Sequence, residues 1–548
     1  MLPLQATRAP SCSPLAMPSP PRRPLSAPPA ASSKEVVAAS PKEAVAASPK
    51  ETVGHGLQYD ERWLVLLTVM IGTIASIMSS TIVNVAVPDM SKVFTLGQER
   101  AQWMSTAFMA AMTISMLTTP WLLSRFGYRL TYVAATLLLM TGGIGGGLAG
   151  NYEFVMAMRV AEGLAAGIMQ PIPAILILYA FQTREQGKAM GVFGMGVVLA
   201  PALGPSIGGL LVEHFGWRSI FFVVVPFCLI ALVMAQRFLP VTAPGGVATT
   251  RSGSRFDWLG LVLVSTALLT LLNGLVALHG AQAGGLPLTA MVLLAVALIT
   301  SLGFIAHQHR APKPLLNLAL FRQRSFAMAS LVGFIYGMAL FGSTYLLPVF
   351  MQLALQLPPS QAGAVLLPAG LVLAITIPVA GRLADRLPIH RLVMTGLFLL
   401  ALSFALMLSV GLDTALWVLM VWTAIGRIGL GFVLPSLNLG AMRSIELTMV
   451  AQGSSTINFV RQLGGAVGVN LIGIFLEWRL HAHGVETTTA DNAAAQLPAF
   501  HESFAVLAVV TAAAMLAAGS LKGSVTTPAG SGNQSAYHSA DKHPDERR

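Results

Sequence analysis

The chain has 548 residues, of which 55% are hydrophobic and only 10% are charged. A soluble protein of this size cannot bury so much apolar surface. The composition therefore excludes a soluble protein and predicts an all-α protein that crosses the membrane many times. The formal net charge of +11 does not indicate nucleic-acid binding, because the basic residues lie in short loops between apolar segments, as they do in proteins of the lipid bilayer.

The two ends of the chain differ in composition from the rest. Residues 1–58 are rich in proline, alanine and serine and predict a disordered cytoplasmic tail. Met17 is an alternative start, which leaves open whether the mature protein contains this tail. Residues 523–548 predict a second polar tail. The cysteines, Cys12 and Cys228, offer neither a metal site nor a disulfide framework.

Fourteen apolar segments, each near the twenty residues that a helix needs to cross the bilayer, are predicted as transmembrane helices. In chain order they lie at about 63–88, 102–123, 130–150, 154–180, 187–212, 218–239, 257–279, 286–308, 325–351, 361–384, 391–411, 414–438, 451–477 and 502–521. The loops on one side, here called the basic face, contain 15 lysines and arginines, against 4 on the other side. This asymmetry predicts that the basic face and both termini are cytoplasmic.

The fourth segment contains an acid and a base inside the predicted membrane region. Glu162 follows Arg159 by three residues, so the two side chains share one helix face. An embedded charge costs on the order of 3 kcal/mol even on insertion scales, so this pair is a functional candidate. The alternative is a structural ion pair that holds the helix near the outer rim of the membrane.

The fifth segment combines small residues with prolines. Ala200, Gly204 and Gly208 recur every four residues and predict a smooth stripe on which another helix packs closely, with Gly209 beside it. Pro201 and Pro205 each remove a backbone hydrogen bond, which bends or loosens a helix. We interpret this helix as part of a moving element, with a tightly packed static helix as the alternative.

A weak internal repeat relates the two halves of the chain. Arg159 and Gly163 correspond to Arg427 and Gly431, which have the same spacing and lie on the same membrane side in the second half. Parallel repeats of this kind predict two bundles related by an axis along the membrane normal. The predicted domains are the tail at 1–58, a six-helix bundle at 59–239, two inserted transmembrane helices at 257–308, a second six-helix bundle at 325–522 and the tail at 523–548.

A substrate pocket is expected between the bundles near the middle of the membrane. Polar side chains in apolar segments are the candidates for its lining, because few such groups are tolerated in lipid without a role. The candidates are Asn84, Gln170, Asn458 and Arg461.

Several of these segments resemble signatures of the major facilitator superfamily, in particular its fourteen-helix drug:proton antiporter branch of the EmrB/QacA type. The stretches are SSTIVNVAVP (Ser79–Pro88), RVAEGLAAG (Arg159–Gly167), APALGPSIGG (Ala200–Gly209) and NFVRQLGGAVG (Asn458–Gly468). The resemblance implies a transporter, not an enzyme. It implies proton-coupled export of small hydrophobic or amphipathic molecules, such as drugs, biocides or metabolites, across the cytoplasmic (inner) membrane.

The same resemblance implies a gate on the basic face and raises a question about the proton. The gate motif survives as GRLADRLP, in which Gly381, Asp385 and Arg386 are the expected latch residues, and Arg125 remains from its degraded copy in the first half. The branch's first-helix acid is replaced by Ser79. We therefore hypothesise that Glu162, supported by Arg159, carries the proton, which is the coupling ion; no other cofactor is expected.

The sequence leaves two alternatives to proton-coupled export. One is that the protein is a uniporter, and the other is that it exports an anionic metabolite without being driven by protons. The outer loop at 478–501 is a candidate contact for a periplasmic adaptor protein, with a plain hydrophilic loop as the simpler interpretation.

Overall fold

The computed structural model describes residues 59–96, 98–241, 255–278, 287–485 and 493–523. Within these ranges the regular structure is helical. Apart from Gly523, the predicted tails lie outside the described residues, so the prediction that they are disordered stays a prediction.

We call residues 59–241 the N-terminal half and residues 324–523 the C-terminal half. The N-terminal half contains α1 (Tyr59–Val93), α2 (Gln98–Met116), α3 (Thr119–Phe126), α4 (Tyr128–Gly147), α5 (Tyr152–Met169), α6 (Ile172–Ala180), α7 (Gln186–Phe215), α8 (Ser219–Phe222) and α9 (Val224–Phe238). Between the halves lie α10 (Trp258–Val276) and α11 (Leu288–Arg310). The C-terminal half contains α12 (Arg324–Val349), α13 (Pro359–Ala384), α14 (Ile389–Met407), α15 (Leu416–Arg443), α16 (Val450–Ala482) and α17 (Ala493–Gly519).

The number of spans differs from the predicted fourteen. In the described part of the chain, 12 helical stretches are long and apolar enough to cross a membrane, or 13 if the bent pair in α2 and α3 is one span. The helix α7 is not among them, although its 30 residues extend about 45 Å at 1.5 Å per residue. Length and hydropathy therefore support about twelve spans, and the arrangement with fourteen is not confirmed.

Two predicted spans are interrupted where prolines follow. The axes of α2 and α3 meet at 55°, and α3 has Pro120 in its first turn. The helices α5 and α6 are separated at Gln170 and Pro171. Proline suits the first turn of a helix but disrupts the turn before it, so the sequence dictates these breaks.

The predicted outer loop at 478–501 is wrong for most of its length. The helix α16 continues to Ala482, and α17 begins at Ala493. Three consecutive alanines open α17, and alanine is the strongest helix former, which explains why helix replaces loop here. The side chains of Arg479 and Glu502 also form an ion pair between the two helices.

The helices α10 and α11 form a hairpin. Asp257 caps α10 by accepting a hydrogen bond from the amide of Gly260 at 2.8 Å. The same carboxylate contacts His307 and Gln308 of α11. α10 also contacts α2 and α16. The division into two bundles with an inserted pair is not tested by these contacts and stays a prediction.

Candidate functional site

The centre of the N-terminal half contains a buried ion pair. Nη1 of Arg159 lies 2.6 Å from Oε2 of Glu162, and both side chains are essentially inaccessible to solvent. Both residues lie on α5, one turn apart, as the sequence spacing predicts. A buried ion pair is stable only where hydrogen bonds compensate for the lost hydration of both charges.

Neighbouring helices supply that compensation to Arg159. Nη1 of Arg159 also donates to the hydroxyl of Ser79 in α1 at 3.0 Å. Its Nε donates to the carbonyl of Met104 in α2 at 3.2 Å, and its guanidinium carbon lies 4.4 Å from the ring centre of Phe108. The arginine therefore links α1, α2 and α5. We call Ser79, Arg159 and Glu162 the buried charge cluster.

The cluster retains unused hydrogen-bonding capacity. Nη2 of Arg159 and Oε1 of Glu162 are buried and have no hydrogen-bond partner among the described residues. Gly142 of α4 packs so closely on Glu162 that a Cβ there would lie 2.6 Å from Cγ of the glutamate. An oxygen of Glu162 without a partner among the described residues can accept a hydrogen bond when the acid is ionised and can carry the proton when the acid is neutral.

The small-residue stripe of α7 packs on α1, close to the cluster. A Cβ at Gly204 would lie 2.6 Å from Oγ1 of Thr81, and one at Gly208 would lie 2.6 Å from Cγ1 of Ile82. Ala200 is buried as well. Gly209 faces open space. The helix continues without a break through Pro201 and Pro205, and the side chain of Pro205 lies outside the described residues.

On the basic face, Asp385 caps the first turn of α7. Its Oδ1 accepts a hydrogen bond from the amide of Gly187 at 2.7 Å. Its Oδ2 accepts one from the amide of Lys188 at 2.8 Å. A carboxylate at a helix N-terminus is favoured by the free amides and by the helix dipole. This contact ties α13 of the C-terminal half to α7 of the N-terminal half.

The cation that accompanies Asp385 is not the expected one. Nη2 of Arg443 at the end of α15 lies 3.7 Å from Oδ1 of Asp385, and the same side chain donates to Gln186 and to the carbonyl of Thr183. Arg386 is exposed and lines a cleft on this face with Arg184 and Lys188, among others. No ion pair between Asp385 and Arg386 is present among the described residues, and the role of Arg386 in the gate stays a prediction.

Glycines allow the backbones of α7 and α13 to touch where the two helices cross. This crossing lies beside the contacts of Asp385 with α7 and Arg443, which we call the latch. A Cβ at Gly381 would overlap the carbonyl oxygen of Gly187 and would lie 2.7 Å from Cα of Gly191. Tyr179 adds a hydrogen bond across the halves, from its hydroxyl to the carbonyl of Leu447 at 2.6 Å. Together these contacts join the two halves on the basic face. Arg125 is exposed, and no contact of its side chain with the latch is present in the described structure.

The side-chain contacts of the described residues do not bring the predicted pocket residues into one group. Asn458 and Arg461 are joined, with Nη2 of Arg461 donating to Oδ1 of Asn458 at 2.8 Å. Asn84 is exposed and accepts a hydrogen bond from Ser105 at 2.5 Å. Gln170 lies at the break between α5 and α6. The first two are therefore neighbours, and the roles of all four stay predictions.

Sequence reasoning missed Arg443 and Tyr179 as latch residues. Their partners are far away in the chain, 260 residues from Arg443 to Thr183 and 268 from Tyr179 to Leu447. No local spacing could reveal such contacts. The one available signal was the position of Arg443 at the basic end of an apolar segment, where an arginine is also explained by orientation in the membrane alone.

Comparison with known proteins decides the family. The family model described as Major Facilitator Superfamily matches residues 69–469, most of the chain. The protein belongs to the major facilitator superfamily. This membership establishes a multipass membrane transporter with the all-helical fold of that superfamily, which agrees with the absence of strands from the described residues.

Similar curated members of the superfamily include drug and vitamin transporters. The chain is 30% identical over 440 residues to the "Multidrug resistance protein B homolog" of Mycobacterium tuberculosis (strain ATCC 25618 / H37Rv), covering 78% of this chain and 79% of the relative. It is 28% identical to the "Multidrug transporter protein MdtP" of Bacillus subtilis (strain 168), covering 76% of each. It is 26% identical to the "Riboflavin transporter RibZ" of Clostridioides difficile (strain 630), covering 76% of this chain and 88% of the relative.

A solved structure supports the superfamily fold. The crystal structure of the human organic anion transporter MFSD10 (TETRAN) aligns with a TM-score of 0.58, covering 82% of this chain and 99% of that chain. The sequence identity is 14%, so this likeness concerns the fold alone.

Proposed function

We propose that this major facilitator transporter is a proton-coupled antiporter that exports small hydrophobic or amphipathic compounds by alternating access. The observation that carries the proposal is the contact of Ser79 with Arg159 beside Glu162. The position where the resemblance implies a first-helix acid lies next to a buried acid that belongs to another helix. This proximity supports the proposal that Glu162, on α5, takes over the role of the missing carboxylate.

Protonation of Glu162 would change the forces between three helices. The neutral acid no longer compensates the charge of Arg159, which is left with neutral partners on α1 and α2. Such an imbalance favours a rearrangement in which the arginine regains solvent or a new partner. Because α1 also packs on the glycines of α7, a movement of α1 reaches the helix that forms part of the latch.

The proposed orientation in the membrane and the energy available from proton entry are both compatible with export. The excess of basic residues on one face supports the proposal that this face and both termini are cytoplasmic, so that the contacts of Asp385 with α7 join the halves on the cytoplasmic side. Each proton that enters yields about 2.3 kcal/mol per 100 mV of membrane potential. We propose the cytoplasmic (inner) membrane as the location, with a periplasmic adaptor as an optional partner. We also propose fourteen spans, obtained by adding the bent pair and α7 to the twelve.

The names of the relatives support the substrate class. Two of the relatives above are named as multidrug proteins and one as a riboflavin transporter. Drugs and riboflavin are small molecules, which supports the small size proposed for the substrate. The alternative of a uniporter, or of an exporter not driven by protons, requires Glu162 to be a structural residue only.

Everted membrane vesicles test the proposal directly. A pH-sensitive dye reports whether addition of ethidium or of fluorescein releases protons from acidified vesicles that contain the protein. We expect release with wild type for at least one of these dyes and none with Glu162→Gln. Glu213→Gln is the matched control, because Glu213 is an exposed acid of α7, and it should behave as wild type.

Two results would contradict the proposal. Dye transport that persists in Glu162→Gln with unchanged proton release would exclude Glu162 as the carrier. Wild-type transport of dye that continues in the presence of a protonophore, without any proton release, would favour the uniporter.

A further inference from the structure

The C-terminal half contains two embedded arginines near the middle of the membrane region. Arg427 belongs to α15 and Arg461 to α16, and each lies well inside its helix. At 1.5 Å per residue, each is about 16 Å along its helix from the nearer end. Tyr336 lies at a similar depth in α12.

These three residues come from three helices that converge. A Cβ at Gly337 would overlap the carbonyl oxygen of Arg461, so α12 and α16 touch at this level. Tyr336, the neighbour of Gly337, is 2% exposed. Its hydroxyl interacts electrostatically with both Arg427 and Arg461, and α12 packs against α15, which contains Arg427, as well as against α16.

Neither arginine has a carboxylate partner in the part of the chain that the structure describes. The internal repeat makes the difference clear. Arg159 is followed three residues later by Glu162, whereas the residue three positions after Arg427 is Leu430. Among the described residues, the N-terminal half thus neutralises its buried arginine with its own acid, and the C-terminal half does not.

Both arginine side chains are partly accessible, unlike Arg159. The helix α16 contacts the N-terminal half both before and after Arg461 in the chain. The hydroxyl of Ser454 donates to the carbonyl of Pro171 at 2.9 Å, and Gln462 lies 3.7 Å from the sulfur of Met109. Arg461, next to Gln462, is thus close to the boundary between the halves, where substrate is expected in this fold.

We propose that Arg427 and Arg461, with Tyr336, form an anion-binding subsite for the acidic group of an amphipathic substrate. The acceptor is a carboxylate, sulfonate or phosphate, and the apolar part of the same molecule lies toward the boundary between the halves. This inference rests on the proposed transport function and names the chemical class of its substrate.

Three physical reasons support this class. Two cations that have no carboxylate partner among the described residues are costly at mid-membrane, and a bound anion lowers that cost. A guanidinium donates to two oxygens of such an anion in fixed geometry. The hydrogen bond from Arg461 to Asn458 orients the guanidinium of Arg461 before the anion binds. This reduces the entropy lost on binding.

Binding to the purified full-length protein in detergent tests the subsite separately from transport. The probes are fluorescein and 8-anilinonaphthalene-1-sulfonate, which are amphipathic anions, and ethidium, an amphipathic cation. The variants are Arg427→Gln, Arg461→Gln, the double variant and Arg461→Lys. Arg479→Gln is the matched control, since Arg479 also lies on α16 but pairs with Glu502 at its outer end.

We expect each glutamine variant to weaken binding of the anions about tenfold or more, as loss of a hydrogen bond between charged groups does. Arg461→Lys should retain part of the affinity, and the control should retain all of it. The double variant should lose less than the product of the single losses, because both arginines contact one acidic group. Ethidium binding should not weaken in any variant.

Two results would overturn the subsite. The first is that the double variant melts at the same temperature as wild type and binds both anions with the same affinity as wild type. The second is that the wild-type protein transports ethidium but binds neither anion. Glu162→Gln keeps this subsite intact, so failure of that variant to lose proton release would contradict the proposed function and leave anion binding measurable.

Discussion

The hydroxyl of Ser79 lies 3.0 Å from Nη1 of Arg159. This contact brings α1, the first described helix, to the only buried ion pair among the ion pairs of the described structure. Under the proposed function, it explains how a serine can stand where the resemblance implies an acid. The charge that Arg159 needs is supplied from its own helix by Glu162, and Ser79 completes its coordination.

Removal of the positive member of the pair should destabilise the protein strongly. Arg159→Met leaves Glu162 as an uncompensated buried acid, which costs about 3–5 kcal/mol when the partner of a buried pair is lost. We expect a clear drop in the melting temperature in detergent. Glu162→Gln should cost less, because Arg159 keeps its bonds to Ser79 and Met104. A smaller loss for Arg159→Met than for Glu162→Gln would contradict this view of the cluster.

Loss of the latch carboxylate should open the basic face. Asp385→Ala removes two hydrogen bonds to backbone amides and the contact with Arg443. Each bond to a charged group contributes about 1.5–3 kcal/mol, so the open population should rise at least about tenfold. Spin labels on cysteines that replace Arg184 and Arg382, which line the cleft on opposite halves, report the distance.

The matched control for the latch is Arg386→Ala. Arg386 is adjacent in sequence but exposed, and the distance distribution should stay that of the unmutated latch. Opening by Arg386→Ala as large as that by Asp385→Ala would restore the expected Asp385–Arg386 latch and contradict the role of Arg443.

The glycine crossing beside the latch should not tolerate a methyl group. A Cβ at Gly381 would overlap a backbone oxygen of α7, and a backbone cannot move aside as a side chain does. Gly381→Ala should therefore separate α7 from α13 and reduce transport severalfold. Gly209→Ala is the control, because a Cβ there meets nothing within 4 Å. Equal transport by both variants would show that close approach is not required.

The Asp257 cap of α10 should make the stability of the protein depend on pH in the acidic range. Burial alone would raise the pKa of Asp257, but hydrogen bonds from His307, Gly260 and Gln308 outweigh burial and hold the pKa below its ordinary value. The ionised acid therefore stabilises the folded state above the ordinary carboxyl pKa, and this contribution is lost as the pH falls through the lowered value. Asp257→Ala should cost about 1 kcal/mol at neutral pH, as loss of a helix cap does.

Melting temperatures measured from pH 7 to pH 3 check this prediction. The difference between wild type and Asp257→Ala should be constant near neutrality and should shrink at the acidic end. A difference that is independent of pH would mean that the contact with α11 depends on shape and not on charge.

The sequence predicted those features that depend on neighbours in the chain. The pairing of Arg159 with Glu162 follows from a spacing of three on a helix, and the membrane character follows from hydropathy. The contact of Ser79 with Arg159 joins residues 80 positions apart, and that of Arg443 with Asp385 joins two different helices. Such contacts depend on how helices cross, which no local pattern contains.

Proton release from the purified protein is the most direct test of the central claim, that Glu162 is the proton carrier. A weakly buffered sample containing a pH indicator is mixed with whichever of ethidium or fluorescein the wild type binds. We expect wild type to release a proton on binding, Glu162→Gln to release none, and Ser79→Asp with Glu162→Gln to recover release through an acid on α1. Proton release by Glu162→Gln equal to that of wild type would contradict the account.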